Sequence, residues 1–173
     1  MPERALARIR PAAVERNCAR LRASLAARAR LCVVVKADGY GHGAVACARA
    51  ALAGGASCLA VATADEAAEL RRHGTTGRIL VMGALTAREV RMALDSDADV
   101  VAWKVEFARA LAGYGGATPR VHVKLDTGMG RLGTSDPAEA RAVALEVAAD
   151  DRLELAGVMT HFATADELGD AHF

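Results

Sequence analysis

Lys36 stands directly after the apolar run Leu31-Cys32-Val33-Val34-Val35 and directly before Ala37-Asp38-Gly39-Tyr40-Gly41-His42-Gly43. A β-branched run that ends in lysine and then in glycines reads as a buried strand opening into a loop, with the amine at the strand's mouth. Loss of water there favours the neutral, nucleophilic amine, which can condense with an aldehyde to a Schiff base. Arginine could not serve, because guanidinium keeps its proton. The competing reading is a strand-end lysine whose stem lies on apolar surface while its ammonium reaches water. The loop glycines permit close approach of backbone to a ligand, and Tyr40 offers a phenol to a phosphate or carbonyl oxygen. Taken alone, the same loop also describes an ordinary connection with one surface tyrosine. His42 reads as a local hydrogen-bonding group.

A second segment is Lys124-Leu125-Asp126-Thr127-Gly128-Met129-Gly130-Arg131-Leu132-Gly133. Lys124 lies inside a buried strand, where a bare cation is costly unless paired or chemically altered. The glycines let the chain turn sharply, so that Arg131 can fold its planar fork back over the strand mouth, where it suits a carboxylate or a phenolate oxygen. Its rival reading is one surface arginine among many. Asp126-Thr127-Gly128 matches the aspartic-protease triplet, but that chemistry pairs two carboxylates on an all-β scaffold, unlike the surroundings here. A third segment, Met159-Thr160-His161-Phe162-Ala163-Thr164, ends another apolar strand on His161, whose ring could stack on a planar heterocycle or serve the structure. Among 22 basic residues only Lys36, Lys104 and Lys124 are lysines, so arginine is the default cation and each lysine asks for a reason. Lys104 has none at this stage.

The elements that must position these groups alternate regularly. Strands are expected over Leu31–Val35, Cys58–Ala62, Ile79–Met82, Asp99–Ala102, Arg120–Leu125 and Leu153–Thr160. Helices are expected over Gly43–Ala53, Ala64–Arg72, Ala87–Leu94, Val105–Ala112 and Pro137–Ala149, after a leading helix Pro11–Ala27 with Val14, Leu21 and Leu25 on its apolar face. Thr86 with Glu89 and Ser135-Asp136-Pro137 supply helix-start signals. This beat predicts an α/β chain with a parallel sheet, either a doubly wound open sheet or a (β/α)₈ TIM-type barrel. The glycines of Gly39–Gly43 lack the spacing of a dinucleotide-binding G-x-G-x-x-G, which disfavours the open sheet. A barrel needs eight strands and six are legible, with another helix expected to start in Asp166–Phe173. The sequence therefore reads as an incomplete barrel, about six of eight βα units, in one domain over residues 1–173.

Composition bounds the function. The 173 residues balance 22 Lys+Arg against 21 Asp+Glu, a net charge of +1, which rules out a basic nucleic-acid arm, an acidic solvating tail or a polybasic membrane patch as the main business. No apolar run approaches a membrane span and no secretory leader is visible. Cys18, Cys32, Cys47 and Cys58 lack metal-ligand spacing and read as reduced thiols of a cytoplasmic protein.

Taken together, the three segments resemble signatures of the alanine racemase family, fold-type III pyridoxal-phosphate enzymes with an amino-terminal (β/α)₈ barrel and a carboxyl-terminal β-domain. Val35-Lys36-Ala37-Asp38-Gly39-Tyr40-Gly41-His42-Gly43 is similar to the family's cofactor-lysine signature, and Ala7-Arg8-Ile9 with the following helix resembles its opening segment. The resemblance implies that Lys36 binds pyridoxal 5'-phosphate covalently and acts as one of two acid/base groups. It further implies that Tyr40 contacts the phosphate, Arg131 binds the cofactor's phenolic oxygen and the substrate carboxylate, His161 lies by the pyridine ring and Met82 lines the pocket. Lys124 corresponds to a lysine often carried as a carbamate. The implied reaction converts L-alanine to D-alanine for cell-wall peptidoglycan, in a homodimer whose second base is a tyrosine of the carboxyl-terminal β-domain, absent from these residues. The fragment alone is accordingly expected to be inactive. Two alternatives remain at this stage: a non-catalytic pyridoxal-phosphate barrel, and a racemase of another amino acid such as serine or lysine.

Overall fold

The computed structural model describes residues 5–167 and Gly169. Six strands form one parallel sheet in sequence order: β1 (Cys32–Val34), β2 (Cys58–Val61), β3 (Arg78–Val81), β4 (Ala98–Ala102), β5 (Arg120–Lys124) and β6 (Glu154–Met159). Helices α1 (Pro11–Ser24), α3 (Ala44–Ala53), α4 (Ala64–Arg72), α5 (Ala87–Asp95), α6 (Val105–Ala112) and α7 (Pro137–Ala149) lie among them, and Lys36–Gly41 forms a short turn, α2. The architecture is an incomplete α/β barrel.

Successive residues of a strand point to opposite faces, and the two faces differ. On the outer face Leu59, Val61, Ile79, Val81, Val100, Val121 and Val123 are buried against the helices. The helices meet them largely with alanine, including Ala48, Ala51, Ala64, Ala67, Ala93 and Ala108, whose small side chains let a helix lie close to the sheet. On the inner face Ala60, Leu80 and Val101 form a thinner layer with Met82, Trp103 and Met159 around it.

Two expectations need correction. The first strand is short and half exposed: Val34 keeps 37% of its surface in water, because β1 lies at the sheet edge and its inner face is uncovered. The leading helix stops at Ser24 rather than Ala27, with Leu25 already extended (ψ 147°) to lead into β1. Within it Leu21 is exposed and only Cys18 is buried, since α1 packs on α3 around Gly54, where a Cβ would collide with the Glu15 carbonyl and Cys18. The helix expected from Asp166 to Phe173 lies largely outside the described residues.

Two helix starts follow the sequence signals. Thr86 and Glu89 form a complete capping box on α5, and the Asp136 carboxylate caps α7 by accepting from the Ala138 amide. A capping box of the same kind, Thr63 with Glu66, opens α4.

Candidate active site

The carboxyl ends of the strands enclose a cleft of about 330 Å³ lined by Lys36, Tyr40, Met82, Lys124, Arg131 and His161, together with Val34, Met159 and Leu132. Every site residue singled out in the sequence meets there, drawn from the ends of β1, β3, β5 and β6. A wider depression of about 700 Å³ opens at the amino ends, but its arginines are already committed to carboxylates. Arg120 pairs with Asp97 at 2.8 Å and Asp99 at 2.5 Å, and Arg78 with Asp99 at 3.2 Å and Glu154 at 3.6 Å. The smaller cleft holds the uncommitted chemistry.

The turn that follows Lys36 is wound left-handed. Ala37, Asp38, Gly39 and Tyr40 all have φ between 51° and 61°. For a residue with a Cβ this costs roughly 1–2 kcal/mol, so a left-handed run with three such residues must be held from outside. Glu66 does much of the holding: one carboxylate oxygen accepts the Ala37 amide at 2.7 Å, and the other accepts the Ala62 amide at 2.7 Å. Asp38 accepts the Ala44 amide at 2.8 Å, tying the turn to the start of α3. His42 bonds the Gly39 carbonyl at 2.9 Å, the local role its position suggested. Gly39 cannot be replaced cheaply, since a Cβ would lie 3.2 Å from Cys47 Sγ and 3.3 Å from the Ala44 nitrogen. The turn places the Tyr40 ring 6.0 Å from Lys36 Nζ, with Tyr40 largely exposed at the rim and Lys36 half-buried below it.

After β5 the chain makes a glycine-rich excursion. The Asp126 carboxylate accepts the amides of Gly128 at 3.1 Å and Gly130 at 2.9 Å, bonds that hold its carboxyl below the usual range. Thr127 and Thr160 share a hydroxyl hydrogen bond of 2.7 Å, which joins this segment to the chain leading into His161. The excursion ends at Thr134, whose amide donates back to the Lys124 carbonyl at 3.2 Å.

Lys124, only 6% exposed, is the electrostatic oddity. Burial and the nearby Arg131 guanidinium both push its ammonium pKa down, against a weaker opposite pull from Asp126. Among the described residues it forms no ion pair. A buried lysine that feels an arginine above it and has no ion-pair partner among the described residues calls for an anion.

Residues 9–173 match the family model for the alanine racemase amino-terminal domain. The chain belongs to the alanine racemase family. It is similar to the alanine racemase of Symbiobacterium thermophilum, 45% identical over 83% of this chain and 38% of that protein, and to alanine racemase 1 of Bacillus subtilis, 40% identical over 93% and 42%. Among solved structures it superposes on the alanine racemase from E. faecalis with a TM-score of 0.90 at 36% identity, covering 95% of this chain and 46% of that one. The alanine racemase from Streptomyces lavendulae gives a TM-score of 0.87 at 42% identity, covering 99% and 46%. The chain thus spans less than half the length of these relatives.

Within this racemase-family cleft, sequence reasoning missed the supporting acids. Glu66 carried a local signal, since Thr63-Ala64-Asp65-Glu66 is a capping-box pattern. Its contact with Ala37 crosses 29 residues and left no local signal.

Proposed function

We propose that this chain is the amino-terminal part, residues 1–173, of a pyridoxal-phosphate barrel that racemises alanine, converting L-alanine to D-alanine for peptidoglycan. The observation that carries the reading is the meeting of a strand-end lysine, a loop arginine and a strand-end histidine on one cleft. The donor set fits the cofactor: an amine for its aldehyde, a phenol at the rim for its phosphate, a guanidinium for its phenolic oxygen and Met82 for its apolar edge. When bound, pyridoxal phosphate supplies an electron sink that acidifies the α-carbon.

The chain's own residues then do the following. The Lys36 amine anchors the cofactor and afterwards takes or returns the α-proton on one face. Tyr40 donates its hydroxyl to the phosphate. Arg131 would hold the substrate carboxylate and the cofactor's phenolic oxygen, orienting the substrate in the cleft it shares with Lys36. His161, which lines the same cleft, would hold the pyridine ring. Racemisation needs a second base on the opposite face, and neither Tyr40 at the rim nor Tyr114, whose hydroxyl donates to the Ala87 carbonyl, is placed for that task. We assign that base to a tyrosine of the carboxyl-terminal domain of a second subunit, which makes the working enzyme a homodimer. The four unbridged cysteines agree with a cytoplasmic setting. Among the described residues no helix is long and apolar enough to cross a membrane.

Lys124 supplies the missing anion if its neutral amine adds to carbon dioxide, forming an N–C bond and releasing one proton to give a carbamate. The product carries a negative charge near Arg131 and replaces a repulsion felt by the buried Lys124 with an attraction.

Full-length protein loaded with pyridoxal phosphate should convert L-alanine to D-alanine, and Lys36→Ala should abolish both turnover and the near-visible absorbance of the lysine-bound cofactor. Absorbance that survives Lys36→Ala contradicts the lysine assignment. Absorbance without turnover on any amino acid identifies a non-catalytic barrel, and turnover only on serine or lysine corrects the substrate.

A further inference from the structure

We propose that Glu139 is a positioning residue for Arg131: its carboxylate, aimed by Lys104, grips the Thr134 hydroxyl and fixes the end of the glycine-rich segment that carries Arg131 over the cleft. The role of Arg131 rests on the function proposed above; the ordering of residues 127–133 by Glu139 stands without it.

Gly128, Gly130 and Gly133 have φ of 132°, 67° and 110°, so the segment has little conformational preference of its own and its path is set at its ends. At the downstream end everything converges on Thr134, which is 6% exposed. Its amide donates to the Lys124 carbonyl at 3.2 Å and its carbonyl accepts the Asp126 amide at 2.8 Å, closing the excursion against the strand it left. Its hydroxyl accepts the Asp136 amide at 3.1 Å and donates to Glu139 Oε2. Glu139 Oε1 accepts from Lys104 Nζ at 2.5 Å.

Lys104 is the N-cap residue of α6, directly after Trp103 beyond the end of β4, so the chain of bonds joins two βα units at the carboxyl ends of their strands. An exposed ion pair by itself adds little stability. Here its effect is directional: it turns one carboxylate so that the other oxygen meets a buried hydroxyl. The same two helices carry an internal control. Arg109 and Glu146 form a second α6–α7 pair, with two bonds of 2.7 and 2.9 Å, two helical turns further along α7 from Glu139.

The test is amide hydrogen exchange of residues 127–133 in the full-length protein. Glu139→Ala and Thr134→Val should each accelerate exchange there about tenfold, the loss expected for a hydrogen bond to a charged group. Glu146→Ala should leave those amides unchanged, and Glu139→Gln, with one oxygen to divide between Lys104 and Thr134, should give exchange intermediate between wild type and Glu139→Ala. In turnover, Glu139→Ala should raise KM for alanine several-fold while kcat changes less. Equal acceleration in Glu146→Ala, or none in Glu139→Ala, overturns the positioning role. Accelerated exchange with an unchanged KM in an active enzyme overturns the link to Arg131. A wild-type protein inactive on alanine refutes the proposed substrate and leaves the exchange result to decide the positioning.

Discussion

At the scale of single residues, the scarcity of lysine is the most informative feature of this chain. Lys36 and Lys124 both line the cleft, and Lys104, outside it at the start of α6, is bonded to Glu139. Lys36 and Lys124 were legible because a cation that closes an apolar strand is chemically conspicuous. Lys104 was not, because its partner lies 35 residues away. Burial and Arg131 lower the Lys124 pKa, so the ammonium loses its proton at a lower pH than a free lysine does. The folded state therefore binds fewer protons than the unfolded one between the lowered and the ordinary pKa, and stability rises with pH across that window. The neutral amine is also the form that adds carbon dioxide. Labelling the full-length protein with ¹³C-bicarbonate should yield a carbamate carbon resonance that is absent in Lys124→Gln. Persistence of the resonance in that variant would place the modification elsewhere.

At the scale of elements, the beat of strands and helices was readable because most strands carry an apolar core of valine, isoleucine or leucine and the helices between them are alanine-rich. What escaped the sequence is the left-handed turn after Lys36. Ala37, Asp38 and Tyr40 have no preference for that conformation, and it exists because Glu66, Asp38 and the packing around Gly39 impose it. Glu66→Ala should therefore act twice. Loss of the capping box should destabilise the protein by about 1 kcal/mol, and release of the Ala37 amide should weaken cofactor retention. A titration of pyridoxal phosphate into the full-length variant measures the second effect. An unchanged affinity would show that the turn holds without Glu66.

At the scale of the whole molecule, the two ends of the sheet divide their work. The carboxyl ends carry the cleft, while the amino ends are held by Asp99, whose side chain is 1% exposed and which bonds Arg120 at 2.5 Å and His122 at 3.0 Å beside Arg78. Burial pushes the Asp99 carboxyl up, but the bonds from His122 and Arg120 and the charge of Arg78 outweigh it and hold it below the ordinary value. Its stabilising contribution is present above the unfolded carboxyl pKa and is lost as pH falls through the lower folded value. Asp99→Asn should cost about 1.5 kcal/mol at neutral pH, the low end for hydrogen bonds to a charged group, because Arg120 keeps Asp97 and Arg78 is partly in water. It should also flatten the acid side of the stability profile, as followed by thermal unfolding across pH. A variant with an unchanged unfolding midpoint would refute that role.

The central claim is that Lys36 is the lysine that holds the cofactor, and with three lysines in residues 1–173 it can be tested by elimination. Borohydride reduction of the loaded full-length protein, followed by peptide mapping, should place the pyridoxyl mass on the peptide containing Lys36. Its appearance on Lys104, on Lys124 or on none of the three would contradict the account.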